Sequence, residues 1–142
     1  MNAQEMSEYT VLCVDDNPHV SDALRSMLHR TPNLRWIGTL PDATDLLERV
    51  ESERPDIVIL DLDMPGPDPF EVLATLSERC PDSKTIVFTG HVRRDYIDRA
   101  VEAGAWGYVS KNEAEDRLFE AIGQVLDGRF AFSPEVRATL DT

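Results

Sequence analysis

Five short apolar runs alternate with five segments of helical periodicity along this chain, and that alternation is the property that most restricts its fold. The runs are Tyr9 to Val14, Leu34 to Leu40, Asp56 to Leu60, Thr85 to Phe88 and Trp106 to Val109. Runs that are apolar almost throughout, rather than at every second residue, belong in a sheet covered on both faces, and strands separated by helices pair in parallel. The expectation is an α/β fold, a doubly wound (βα)5 unit around a parallel five-stranded sheet. The first, third and fourth runs are the most continuously apolar and are expected at its centre. Leu34-Arg35-Trp36-Ile37-Gly38 is more mixed and is expected at an edge.

The helical segments carry their own boundaries. Asn17-Pro18 reads as an N-cap with Pro in the first turn, followed by Val20, Ala23, Leu24, Met27 and Leu28 on one face. Asp68-Pro69-Phe70-Glu71 reads as a capping box that opens a helix through Leu73 and Leu76, with Pro81 as its stop. A last helix from about Glu113 presents Leu118, Ala121, Ile122, Val125 and Leu126 and meets Gly128 as a C-terminal cap. With 142 residues the chain is long enough for one core and too short for two. The division read from the sequence is a disordered N-terminal segment at 1–8, one domain at 9–128, and a weakly helical tail or start of a linker at 129–142.

Charge and composition exclude several functions. A formal charge of −13 argues against a direct grip on nucleic acid, which relies on clustered Lys and Arg. No stretch approaches the ~20 apolar residues of a membrane span, and the polar residues 1 to 8 do not resemble a secretory signal, so a cytoplasmic location is expected. Cys13 and Cys80 lack metal or redox spacing and read as packing thiols.

In open parallel sheets ligands bind beyond the carboxyl ends of the strands, and there the polar residues of this chain gather. The first run ends in Asp15-Asp16, the third in Asp61-Leu62-Asp63-Met64-Pro65, the fourth in Thr89 and the fifth in Ser110-Lys111. A single Asp after a strand is commonly a turn former or helix cap. Three carboxylates brought together are different, because they repel unless some are protonated or a cation sits among them. Mg2+ suits such a set, since it takes oxygen ligands from one or two carboxylates, waters and phosphate oxygens.

These residues also carry a family resemblance. Val14-Asp15-Asp16-Asn17, Leu60-Asp61-Leu62-Asp63-Met64-Pro65-Gly66, Phe88-Thr89-Gly90 and Gly104-Ala105-Trp106-Gly107-Tyr108-Val109-Ser110-Lys111 resemble the successive motifs of bacterial two-component response-regulator receiver domains. The Gly-Ala-x-Gly-Tyr segment, and Lys111 without a following Pro, resemble the NarL/FixJ subfamily. The resemblance implies a flavodoxin-like strand order, 2-1-3-4-5, and a phosphoacceptor signalling domain rather than a turnover enzyme. Asp61 would take a phosphoryl group from a sensor histidine kinase or a phosphotransfer protein. Asp16 would ligate Mg2+ directly, Asp15 mainly through water and Asp63 through its backbone carbonyl. Thr89 and Lys111 would hold phosphoryl oxygens, and Tyr108 would turn inward after phosphorylation, changing the surface of helix four, strand five and helix five.

Some features depart from the family pattern or stay open. Pro69 stands where receivers commonly carry Gly, and Pro at the start of a helix should stiffen the loop without breaking the site. Asp63 and His91 are read either as flanking the path of an attacking water and tuning phosphoryl lifetime, or as simply facing solvent. Trp106 would share a face with Tyr108 and Ser110 and be partly exposed, or pack beside a helix. In NarL/FixJ regulators a stretch similar to Phe130 to Val136 leads into a DNA-binding helix-turn-helix domain, so an excised or a stand-alone receiver, and a homodimer, are all compatible with the chain. Two rival readings are a phosphorylation-independent pseudo-receiver and a haloacid-dehalogenase-like phosphatase, in which Asp63 would act through its side chain.

Overall fold

The computed structural model describes residues 8–141. Along them run β1 (Tyr9–Val14), α1 (Pro18–His29), β2 (Leu34–Leu40), α2 (Leu46–Glu53), β3 (Ile57–Leu60), α3 (Pro69–Arg79), β4 (Lys84–Thr89), α4 (Arg94–Glu102), β5 (Gly107–Ser110), α5 (Asp116–Leu126), β6 (Ala131–Phe132) and α6 (Pro134–Leu140). The strands form one parallel sheet in the order β2-β1-β3-β4-β5-β6. Its first five strands follow the expected order, with β1, β3 and β4 inside and β2 at an edge.

The sheet has six strands, not the expected five. Gly128, at φ +83°, turns the chain out of α5, and Ala131 and Phe132 then lie beside Gly107 and Tyr108. The Ala131 N–H donates to the Trp106 carbonyl at 3.0 Å and the Ser133 N–H to that of Tyr108 at 3.2 Å. A two-residue strand is too short to show periodicity, yet it satisfies backbone groups that β5 would otherwise present as an open edge. Residues expected as a tail are therefore partly sheet and partly helix, and Val136 of α6 is fully buried. The disorder expected for residues 1–8 falls, apart from exposed Glu8, outside the described residues.

Alternation along the strands divides the core in two, because successive side chains point to opposite faces. Leu12, Val14, Val58, Leu60, Val87 and Tyr108 join residues of α2, α3, α4 and α6 on one face. Val11, Cys13, Ile57, Ile59, Ile86, Phe88 and Val109 join residues of α1 and α5 on the other. Helix starts follow the sequence signals: the Asn17 side chain accepts from the His19 N–H and that of Asp68 from the Phe70 N–H, each ahead of a Pro. The last large helix starts at Asp116, later than expected, because residues 111 to 115 form the turn that leaves β5. Gly104, at φ +104°, makes the turn into β5, and a Cβ there would run into the Ser77 side chain of α3.

Candidate functional site

Sheet hydrogen bonding carries the acidic residues to one place. The Asp15 N–H continues the β1–β2 ladder by donating to Leu40 at 2.9 Å, and the Asp61 N–H continues the β1–β3 ladder by donating to Val14 at 3.0 Å. Parallel pairing thus lines up the ends of neighbouring strands, and the carboxylate oxygens of Asp15, Asp16 and Asp61 fall within 4.8 Å of one another. Asp15 and Asp61 are buried while Asp16 is exposed. They adjoin a cavity of about 330 Å³ that also reaches Asn17, Asp63, Gly90, His91 and Lys111.

Lys111 answers part of this negative charge. Its ammonium donates to Asp15 Oδ2 at 2.7 Å and lies 3.4 Å from Asp61 Oδ2. The other Asp15 oxygen accepts from the Asn17 N–H at 2.9 Å. Asp61 Oδ1 is buried and has no partner. Burial pushes the Asp61 carboxyl above its ordinary value; Lys111 pulls it down and the Asp15 charge raises it again. Burial also works against the Lys111 ammonium, but the bond to Asp15 and the charges of Asp61 and Asp15 leave it above its ordinary value. Three carboxylates with one orphaned oxygen form an all-oxygen donor set, which fits a hard divalent cation better than a thiophilic one.

The remaining sequence candidates are placed as follows. Thr89 is fully buried at the end of β4, where its hydroxyl oxygen accepts from the His91 N–H at 3.2 Å. His91 Nε2 lies 3.4 Å from Asp63 Oδ2, and both side chains are substantially exposed. The Asp63 carboxylate is not one of the three clustered ones. Tyr108 is already inward: its ring is fully buried and its hydroxyl donates to the His91 carbonyl at 2.5 Å. Burial raises its hydroxyl pKa as well. Trp106 precedes β5 instead of lying within it, so the alternation through Tyr108 and Ser110 does not reach it. It packs with the α1 and α5 face, stacked on Phe130 at 4.6 Å with the Lys84 ammonium over its ring. Trp106 is half-buried there, so it packs beside a helix and also keeps partial exposure.

Sequence reasoning passed over a polar network beside Lys111. Ser110 Oγ donates to Glu135 Oε2 at 2.7 Å and accepts from the Asn112 N–H at 3.0 Å. The Asn112 side-chain amide donates to Glu135 Oε1 at 3.3 Å and to the Gly90 carbonyl at 3.4 Å. Ser133 stands at the N-cap of α6 and Pro134 opens it, which places Glu135 in the first turn of that helix.

The model of the response regulator receiver domain matches residues 11–123. The chain belongs to that family. The receiver is 28% identical over 131 residues to the nitrate/nitrite response regulator protein NarL of Escherichia coli K12, covering 92% of this chain and 61% of the relative. It is 32% identical over 130 residues to the response regulator GacA of Pseudomonas aeruginosa, again covering 92% and 61%. The chain thus spans about three fifths of the curated relatives it matches. A two-component response regulator of the LuxR family from Aurantimonas sp. SI85-9A1 superposes with a TM-score of 0.89 at 31% identity, covering 95% of this chain and 96% of that one. The isolated receiver domain of RcsB from Salmonella enterica serovar Typhimurium, solved with the phosphomimetic BeF3−, shares the fold with a TM-score of 0.86 at 22% identity over 94% of this chain and 99% of that one. This is a receiver of phosphorylation-based two-component signalling with NarL-type relatives. No helix among the described residues is long and apolar enough to cross a membrane.

Proposed function

We propose that Asp61 is the residue that accepts the phosphoryl group. The observation that carries this is its buried, unpartnered Oδ1 at the floor of a cavity shared with two further carboxylates and Lys111. An oxygen left without a hydrogen bond in such a place costs about 1 to 3 kcal/mol, a cost that an arriving cation or phosphoryl group would relieve. Asp15, Asp16 and Asp61 would hold Mg2+ with their side chains and Asp63 with its backbone carbonyl. The ion would supply positive charge for the equatorial oxygens of the group in transfer.

The chain's own residues do the rest. An Asp61 oxygen attacks the phosphorus of a phosphohistidine on a sensor kinase or phosphotransfer protein. A phosphorus–oxygen bond forms, the phosphorus–nitrogen bond breaks, and the imidazole leaves with the electron pair and takes a proton. Lys111, now held by Asp15, swings toward the new phosphoryl oxygens, and the Thr89 hydroxyl donates to another. Asp63 and His91, facing each other across the cavity mouth, set access of the water that later hydrolyses the acyl phosphate. Because Tyr108 is already buried, the switch on the α4, β5 and α5 surface would be a change in its bond to the His91 carbonyl, not an inward rotation. The setting we infer is the cytoplasm, with a homodimer or a following DNA-binding domain as the route to output. An exposed Asp63 side chain outside the carboxylate group disfavours the phosphatase reading, and the complete set of acidic and basic residues disfavours a pseudo-receiver.

The test is incubation of wild type and Asp61→Asn with acetyl phosphate and Mg2+, read by intact mass. A single phosphoryl adduct on wild type alone is expected. Adducts on both proteins, or on neither, overturn the assignment.

A further inference from the structure

The C-terminal helix is bonded to the loop that carries Lys111, and this contact gives α6 a role beyond covering the sheet edge. We propose that Glu135 is a positioning residue for Lys111: from α6 it grips Ser110 and Asn112, the residues on either side, and so holds the ammonium at Asp15 and Asp61. The proposal rests on the phosphoacceptor reading of Asp61.

Lys111 has a long side chain with roughly 2 kcal/mol of rotamer entropy, so its placement between two carboxylates depends on where its backbone is fixed. One anchor is the sheet, through the Lys111 N–H donated to Thr89 at 2.9 Å. Beyond it the chain leaves β5 in a turn whose next residue, Asn112, is exposed. Glu135 supplies the second anchor, with one oxygen on the Ser110 hydroxyl and the other on the Asn112 amide. Bonds to an ionised acceptor are about twice as strong as neutral ones, so this carboxylate is a firm clamp for two neutral donors.

The same Asn112 amide also reaches the Gly90 carbonyl, in the loop that follows Thr89. Glu135 thus holds the side chain, Asn112, that links the Lys111 turn to the loop after Thr89, the two segments whose residues are expected to hold phosphoryl oxygens. Helix α6 is itself held at both ends. The Ser110 N–H donates to Ser133 Oγ and the Glu135 N–H to Glu113 Oε1 at its start, while Arg94 of α4 donates to the Leu140 carbonyl at its finish. Coupling between two sites is reciprocal, so a helix that positions Lys111 must in turn respond when Lys111 moves onto a phosphoryl group.

The experiment compares wild type, Glu135→Ala, Glu135→Gln and Val136→Ala at saturating Mg2+ with acetyl phosphate. The readouts are the initial rate of adduct formation by intact mass and amide hydrogen exchange over residues 134–140. Val136 lies in the core on the α2, α3 and α4 side of the sheet, so Val136→Ala loosens α6 without removing the carboxylate. Glu135→Ala is expected to slow adduct formation roughly tenfold, the loss of about one charged hydrogen bond. Glu135→Gln, which keeps an acceptor, should recover most of the rate, and Val136→Ala should stay within about twofold of wild type. In wild type, exchange over α6 should change when the adduct forms. An unchanged rate in Glu135→Ala, equal slowing in Glu135→Ala and Val136→Ala, or α6 exchange indifferent to the adduct each overturns the positioning role while leaving Asp61 as acceptor. Failure of wild type to form any adduct brings down both.

Discussion

Asp61 and Glu135 are both carboxylates at the carboxyl edge of the same sheet, and their surroundings are opposite. Asp61 is buried with one oxygen unpartnered and its other near a lysine that bonds more closely to Asp15. Glu135 is half-buried, and each of its oxygens accepts a hydrogen bond, from Ser110 and from Asn112. A buried polar atom without a partner is rare enough in folded proteins to require a reason, and for a carboxylate oxygen a site awaiting a cation is one. A fully satisfied carboxylate needs no ligand and works as a brace. The contrast teaches that the kind of side chain does not mark the reactive group at this edge; the incompleteness of its bonding does.

The largest effect should come from Lys111→Met. It removes the cation that serves the phosphoryl oxygens, and the rate of adduct formation should fall roughly a hundredfold, as when one transition-state donor is lost elsewhere. Affinity for Mg2+ should move the other way and tighten, because a positive charge beside Asp15 and Asp61 is gone. Weaker Mg2+ binding by isothermal calorimetry would show that Lys111 organises the carboxylates instead of competing with the metal.

Next in size is the brace. Val136→Ala should cost roughly 2 kcal/mol of stability in chemical denaturation, from two buried methyl groups and the void they leave. A cost near zero would mean that α6 is not part of the cooperative fold.

Asp61→Asn should, without metal, stabilise the protein by roughly 1 kcal/mol at neutral pH, because an incompletely paired buried charge is replaced by a neutral amide. The sign follows from the upward shift of the Asp61 carboxyl. Folding favours the protonated acid more than the unfolded chain does, so wild type loses stability relative to the variant as pH rises from the ordinary carboxyl range through that raised value. Adding Mg2+ should then favour wild type, and an advantage for Asn that is independent of both pH and Mg2+ would contradict an unsatisfied Asp61.

The smallest effects are local. His91→Ala and Asp63→Asn should each alter the decay of the acyl phosphate, and unchanged decay would leave both as solvent-facing residues. Cys13 lies two residues before Asp15, and burial pushes its thiol up to about 12. A thiol reagent should therefore modify Cys80 and spare Cys13. Labelling of Cys13 at a comparable rate would reveal an opening of the sheet beneath the carboxylates.

Much of this was legible in the chain itself. Continuous apolar runs such as Ile57 to Leu60 can only be buried on both faces, and Asn17-Pro18 and Asp68-Pro69 start helices through bonds that span two residues. Strand ends then follow from strand positions, which is why Asp15, Asp16, Asp61, Thr89 and Lys111 could be named before any coordinates. The sixth strand was not legible, because two residues carry no period and Ala131-Phe132 become a strand only once β5 offers an edge. The placement of Trp106 depended in the same way on where β5 begins. The inward Tyr108 and the Glu135 clamp required knowing that α6 folds back over β5, a contact between residues more than twenty apart in sequence. Local patterning therefore determined the sheet and the acidic cluster. Which oxygen of that cluster lacks a partner, and which helix braces Lys111, was decided by long-range packing, since a hydrogen bond exists only when both of its partners have been brought together.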